Sequence, residues 1–169
     1  MRLEQFNHLR HATSSFSSGN EEMDRWFRRF AKRSQRDSLT RVFVLVETEE
    51  ATTKLPVLGY FALSMASVEV AGLSESDRQG LPRTPVPAVL MTRLAISASR
   101  QGRGLGRALL VKAAQKAVLA SEAVAARLFV VDALDEEAAR FDERFGFSRS
   151  PQDPMRLYIG LNRLANGLS

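Results

Sequence analysis

Apolar residues follow two rhythms along this chain. Near-continuous apolar runs occur at 41–47 (RVFVLVE), 55–68 (LPVLGYFALSMASV), 88–96 (AVLMTRLAI), 126–134 (ARLFVVDAL) and 155–161 (MRLYIGL). Their length and β-branched content predict buried strands, the last closing the sheet. The link TEEATTK, 48–54, is polar and of hairpin length. Helical spacing takes over elsewhere. A polar lead-in at 12–19, ATSSFSSG, enters a helix running from about Asn20 to Arg36. A second helix runs from Gly104 to about Glu122, with Leu105, Leu109, Ala113 and Ala117 on a stripe that Lys116 interrupts. A third begins at Asp135 as N-cap, has Glu136 and Glu137 in its first turn, and stops at Gly146. Residues 71–87, with Gly72, Gly80, Pro82, Pro85 and Pro87, read as loop. Strand–helix–strand–helix in the second half predicts a parallel pair within a mixed α/β sheet.

Composition adds limits. The 169 residues suit one domain spanning 1–169, and 44% hydrophobic with 25% charged residues excludes a wholly disordered chain. With no cysteine, disulfides, thiolate metal sites and a cysteine nucleophile are excluded, which fits a reducing cytoplasm. No run approaches the roughly 20 apolar residues of a membrane span, and MRLEQFNHLR lacks the apolar core of a signal peptide. A soluble, cytoplasmic protein is the expectation. The net charge of +5 and pI of about 10.2 favour an anionic partner. His8 and His11 have no further ligand near them in sequence, so no metal is expected, and no serine sits in a G-x-S-x-G setting.

The stretch SRQGRGLGRALL, 99–110, carries the clearest chemistry. It leaves one predicted strand and opens one predicted helix. Glycines there allow a tight turn and bring bare N–H groups close to a ligand. The helix start adds unpaired N–H groups and a positive dipole end, worth about 0.3–1 kcal/mol to an anion. Arg100, Arg103 and Arg107 add full charges. No Gly-Lys-Ser/Thr is present, which excludes a P-loop, and the final glycine of the dinucleotide fingerprint is missing. Gln101-x-x-Gly104-x-Gly106 instead resembles the pyrophosphate loop of acyl-coenzyme A N-acyltransferases.

Beyond that loop, FSSGNEEMDRWF, GYFALS, LPRTPVPAVLMTRLAISASRQGRGLGRALL and DEEAARFDERFGF give the chain a wider likeness. In order and spacing it resembles the GNAT superfamily of N-acetyltransferases, most of all the acetyltransferase toxins of bacterial type II toxin–antitoxin modules. The resemblance implies a GNAT fold, with a mostly antiparallel central sheet flanked by helices and splayed between the parallel strands 88–96 and 126–134. Acetyl-CoA would be the acyl donor, with no metal. Its pantetheine arm would pair with Leu94, Ala95 and Ile96. Its diphosphate would sit on Gln101, Gly102, Arg103, Gly104, Leu105, Gly106 and Arg107. The implied acceptor is the α-amino group of an aminoacyl-tRNA, its acetylation blocking translation. The implied partners are a small ribbon–helix–helix antitoxin and a second copy in a homodimer, with no membrane.

One position departs from the family pattern. Where the family has tyrosine in Phe-Tyr-Glu-x-Phe-Gly-Phe, proposed to protonate the departing thiolate, this chain has Asp142. At an ordinary pKa of about 3.9 it holds no proton at neutral pH, so it serves only if burial raises that value. Three readings stay open: Asp142 as the acid, departure unaided or helped by another group, and reduced activity. Tyr60 and Tyr158 read as core or sheet residues. A base is less needed for an α-amine, which titrates at about 7.7–8.0, than for a lysine at about 10.4, and the 88–96 strand holds no carboxylate.

A polyanionic substrate needs a second basic surface. At about 100° per residue, Arg25, Arg28, Arg29, Lys32 and Arg36 share one face of the first helix, opposite Met23, Trp26, Phe27, Phe30 and Ala31. The apolar side would pack on the sheet and leave a cationic ridge for RNA phosphates, extended by Arg83 and Arg93. The ridge also suits an acidic antitoxin tail. Two rivals to the toxin reading are a GNAT enzyme for a small or protein amine, and a weakened CoA-binding protein acting through an antitoxin complex.

Overall fold

In chain order the elements are β1 (Arg2–Gln5), β2 (His11–Ala12), α1 (Glu21–Arg29), α2 (Ala31–Arg36), β3 (Arg41–Val46), β4 (Leu55–Val68) and α3 (Glu75–Arg78). Then follow β5 (Val86–Ile96), α4 (Leu105–Ala123), β6 (Leu128–Asp132), α5 (Glu136–Phe145), β7 (Ser148–Arg149), β8 (Arg156–Gly160) and α6 (Leu161–Leu168). These come from a computed structural model that describes residues 1–48 and 53–168. Residues 49–52 of the predicted hairpin link lie outside the described residues. The chain divides into two units, Met1–Ser64 with Thr92–Ala113, and Met65–Met91 with Ala114–Ser169.

In the first unit hydrogen-bonded neighbours run β1-β3-β4-β5. β3 is antiparallel to both β1 and β4, and β2 adds a short parallel ladder at the start of β4. The alternation in RVFVLV sends Val42, Val44 and Val46 into a core with Phe6, Phe16, Met23, Phe27, Val57 and Tyr60. Phe27 stacks on Tyr60 at 4.4 Å and 11°, and Phe16 meets both rings edge-on at 5.1 and 5.5 Å. Each such pair adds about 0.5–1.5 kcal/mol beyond its buried area. Asn20 caps α1 by accepting from the Met23 N–H at 3.0 Å.

In the second unit neighbours run β5-β6-β8-β7. β5 and β6 are parallel, from Ala88↔Leu128 to Met91↔Val131, while β8 is antiparallel to β6 and β7. β5 continues through Thr92–Ile96 beyond its last pair with β6. Val68, Leu73, Val86, Ala88, Leu128, Val130 and Tyr158 form the core. Asp135 caps α5 by accepting from the Ala138 N–H at 2.8 Å, and Gly146 ends it at φ +114°. That left-handed value is one glycine adopts without strain.

Mostly antiparallel ladders, with β5 and β6 parallel, together with helices make the mixed α/β architecture the sequence predicted. Four details differ. The helix expected over 20–36 breaks at Phe30, whose φ of −115° ends α1 and starts α2. The stretch read as loop holds α3, whose four residues are too few for a periodic signal. β8 is followed by α6, and β7 rather than β8 is the outer strand. β1 escaped notice because Arg2, Glu4 and Gln5 are polar; Glu4 is held there by Arg2, Arg10 and His11.

Candidate active site

The turn between β5 and α4 is pinned from behind and open in front. Ser97 N–H donates to Leu58 O and Ala98 N–H to Ser17 O, both at 2.8 Å. The Gln101 amide Nε2 donates to Ser18 O at 2.6 Å and Ile96 O at 2.9 Å. Gln101 therefore fastens the turn through its side chain. Gly59 lets β4 come close here: a Cβ on it would lie 2.8 Å from Ile96 Cδ1 and Leu109 Cδ1 and 3.0 Å from Ala95 O.

After Gln101 the backbone takes left-handed values at Gly102 (φ +73°) and Gly104 (φ +77°). A side chain is strained in that region. Among the described residues, none of the consecutive amides from Gly102 to Arg107 donates a hydrogen bond. Those of Leu105, Gly106 and Arg107 are the orphan donors of a helix start, where the dipole is positive. A Cβ at Gly102, Gly104 or Gly106 would meet nothing within 4 Å, so the concave side is clear. Arg103 and Arg107 are exposed and have no ion pair among the described residues, whereas Arg100 is paired with Glu47 at 2.8 Å. Such a place suits a diphosphate. At the end of β5, Leu94 is half-buried and Ala95 and Ile96 are buried, the Ile96 carbonyl being taken by Gln101.

Asp142 stands in the second unit, one turn before the end of α5, and is 6% exposed. Its backbone carbonyl accepts from Gly146 and Phe147, but no group among the described residues bonds its carboxyl. Burial without a compensating charge pushes that carboxyl up to about 7. Both tyrosines are committed elsewhere. Tyr60 donates to Met23 O at 2.8 Å, and burial holds its phenol well above the usual range. Tyr158 donates to Asp77 at 2.6 Å and accepts from the Ser74 N–H.

The break at Phe30 redistributes the predicted ridge. Arg28 turns back, its guanidinium donating to Phe16 O. Arg36 pairs with Asp37 at 2.9 Å. Arg29 and Lys32 stay exposed with no ion pair among the described residues. Arg25, Arg93 and Arg33 instead line a groove of about 540 Å³ with Trp26, Phe30 and Leu39. Phe30, predicted on the buried side, is 49% exposed because the first helix ends at it. Arg83 sits on an exposed bend of the second unit. Arg33 and Leu39 were missed because ideal 100° spacing holds no information about a break. Acidic residues outnumber basic ones in the second unit, so the first carries more than the whole net charge of +5.

Among the described residues, no group of three His, Asp or Glu is placed to hold a metal, and no helix is long and apolar enough to cross a membrane. His11 Nε2 contacts Glu4 at 2.9 Å while its Nδ1 accepts from the Asn7 N–H.

Comparison with known proteins brings these features under one heading. A family model described as "Acetyltransferase (GNAT) domain" matches residues 56–149. A tRNA-acetylating toxin of Mycobacterium tuberculosis (strain ATCC 25618 / H37Rv) is 36% identical over 146 residues, which is 86% of this chain and 84% of the relative. The solved structure of AtaT complexed with acetyl-methionyl-tRNAfMet superposes with a TM-score of 0.90 at 26% identity, covering 99% of both chains. That of AtaTR bound with AcCoA gives 0.84 at 26% identity, covering 99% of this chain and 98% of that one.

Proposed function

Because the chain belongs to the GNAT acetyltransferase family, we propose that it transfers acetyl from acetyl-CoA to the α-amino group of an aminoacyl-tRNA, and so blocks translation. The run of free amides from Gly102 to Arg107 carries this reading. It offers donors and positive dipole to a diphosphate, with no side chain in the way and two unpaired guanidiniums beside it. The 36% identical tRNA-acetylating toxin, and the likeness to AtaT solved with an acetylated aminoacyl-tRNA, support the choice of acceptor.

Acetyl-CoA, when bound, supplies an acetyl group activated as a thioester. The residues of this chain do the rest. The amides of Gly102–Arg107, with Arg103 and Arg107, hold the diphosphate; the backbone of Leu94, Ala95 and Ile96 orients the pantetheine arm. No base is required, since an α-amine titrating at about 7.7–8.0 is partly neutral at pH 7. As the proton source for the departing thiolate we propose Asp142, whose burial keeps its carboxyl protonated near neutrality; the proton that the amine loses on becoming an amide restores it. Burial thus provides what an exposed aspartate lacks.

The reading extends to a cytoplasmic homodimer neutralised by a small ribbon–helix–helix antitoxin. Its support is the toxin relative and the surplus of cations in the first unit, including Arg25, Arg29 and Lys32. Incubation with labelled acetyl-CoA and charged tRNA tests the core claim. Label should appear on the aminoacyl group and leave the tRNA as N-acetyl amino acid on ester hydrolysis. Labelling of small amines but never of charged tRNA would overturn the acceptor.

A further inference from the structure

The polar lead-in before α1 shows no chemistry in sequence, yet α1 grips residues 16–18 from two successive turns. Asp24 Oδ1 accepts from the Ser18 N–H at 2.8 Å and from the Ser18 hydroxyl at 2.6 Å, and Oδ2 lies 3.5 Å from the Ser17 hydroxyl. One turn later the Arg28 guanidinium donates to Phe16 O. Asp24 is 6% exposed, although it stands in the charged first turn of α1. Its carboxyl does not cap that helix. Asn20 already accepts from the Met23 N–H, and among the described residues the Asp24 carboxyl bonds only Ser17 and Ser18. This end of α1 is itself fixed to the sheet, because Tyr60 of β4 donates to Met23 O at 2.8 Å.

The carbonyls of the gripped residues serve the glycine turn. Ser17 O accepts the Ala98 N–H at 2.8 Å, and Ser18 O accepts Gln101 Nε2 at 2.6 Å. We propose that Asp24 is a positioning residue for acetyl-CoA, holding the Gly102–Arg107 turn in its binding shape through Ser17, Ser18 and Gln101. The proposal rests on the acetyl-CoA reading above and adds to it a residue that acts only through others. The Ser17 carbonyl and the Ser18 N–H belong to one peptide group. The bonds from Ala98 to Ser17 O and from Ser18 N–H to Asp24 therefore run in series. An acceptor as strong as a carboxyl at one end of such a series polarises the peptide and strengthens the bond at the other. Glycine loses more conformational freedom on ordering than any other residue, so a turn with Gly102, Gly104 and Gly106 needs tethers outside itself. Ala98 and Gln101, just before it, are those tethers, and Asp24 holds what they are tied to. A turn ordered in advance binds its ligand without losing that freedom at the moment of binding.

The test measures acetyl-CoA affinity of the full chain by calorimetry. Asp24→Ala should weaken it about tenfold, and Asp24→Asn, which keeps an acceptor for the Ser18 N–H, should recover part of the loss. At saturating acetyl-CoA, kcat of Asp24→Ala should match the unaltered enzyme while KM for acetyl-CoA rises, a split that general damage to α1 would not give. Gln101→Met should also weaken binding, and the double variant should lose much less than the product of the two, since both act through one chain of bonds. Fully multiplied losses would place the action of Asp24 elsewhere and overturn the proposal. Ser18→Ala removes only a hydroxyl and should give a smaller loss in the same direction. Unchanged affinity in Asp24→Ala, or in Ser18→Ala where Asp24→Ala does not fold, also overturns it. A readout without ligand separates this proposal from the cofactor reading. Exchange of the Ala98 amide proton, followed by NMR, should quicken in Asp24→Ala and stay slow in Asp24→Asn; equal protection in Asp24→Ala and the unaltered chain would show that Asp24 does not hold the turn. Failure of the unaltered chain to bind acetyl-CoA sinks the cofactor reading, and Ala98 exchange then still decides the part played by Asp24.

Discussion

Replacing Asp142 by Asn removes the ionisable carboxyl and keeps its shape, so the effect is read as a dependence on pH. In the folded chain burial pushes the carboxyl from 3.8 up to about 7; in the unfolded chain it returns to an ordinary value. The sign follows from which state holds the proton. Between about pH 4 and pH 7 the folded state binds it and the unfolded state does not, so stability from this group is present at acid pH and declines as pH rises through 7. A gap of about three pH units at about 1.4 kcal/mol each gives about 4 kcal/mol over the whole range. Between pH 5 and pH 8.5 only the part from 5 to about 7 is crossed, about 2.7 kcal/mol, or half of that if water at the carboxyl edge screens it. Urea denaturation of both proteins at pH 5 and pH 8.5 measures this, because every other titration cancels in the difference. Asp142→Asn should gain on the unaltered protein by about 1.3–2.7 kcal/mol over that interval. Parallel profiles would show that Asp142 ionises normally, and the proton-donor role would fall with it. Turnover gives a second readout: kcat of the unaltered enzyme should decline above pH 7, and that decline should vanish in the slower Asn variant.

Other outcomes follow from the same geometry. Gly104→Val puts a branched side chain at φ +77° on the open side of the turn; calorimetry should show acetyl-CoA affinity at least about tenfold weaker, at a strain of about 1–3 kcal/mol, and an unchanged affinity would refute the loop. Reversing charge at Arg25, Arg29 and Lys32 should weaken acetylation of charged tRNA and flatten its salt dependence while sparing acetyl-CoA binding; equal loss of both would make these residues structural. Gly59→Ala forces a Cβ to within 2.8 Å of Ile96 and Leu109 side chains and should destabilise the first unit by about 1–3 kcal/mol in urea. Full stability would mean that β4 has room to shift.

Most of the sheet was legible because strand formation depends on short apolar runs, and RVFVLVE or ARLFVVDAL allow few alternatives. Caps were legible for a similarly local reason: Asn20, Asp135 and Gly146 act on backbone groups within four residues. The glycine turn was visible through spacing alone. What escaped depends on partners far along the chain. β1 is polar, and Glu4 is anchored by Arg10 and His11. Arg28 is drawn back by a carbonyl twelve residues away. The break at Phe30, which gathers Arg25, Arg33 and Arg93 around one groove, leaves no trace in a regular helical pattern. The state of Asp142 was out of reach for the same reason, since a sequence names a carboxyl without giving its surroundings.

Three features of this chain make little sense as contributions to stability. Consecutive amides from Gly102 to Arg107 lack partners, where a cap residue would contribute about 1 kcal/mol. Asp142 is buried with no group among the described residues bonding its carboxyl, where an apolar residue would avoid the desolvation penalty. Phe30 and Leu39 face water beside guanidiniums, where polar residues would keep the surface soluble. Sequences that satisfy local rules elsewhere tend to break them at sites that act on something else. On the function proposed above, the free amides serve a diphosphate and the Asp142 proton serves a thiolate. A chain shaped for stability alone would have closed all three.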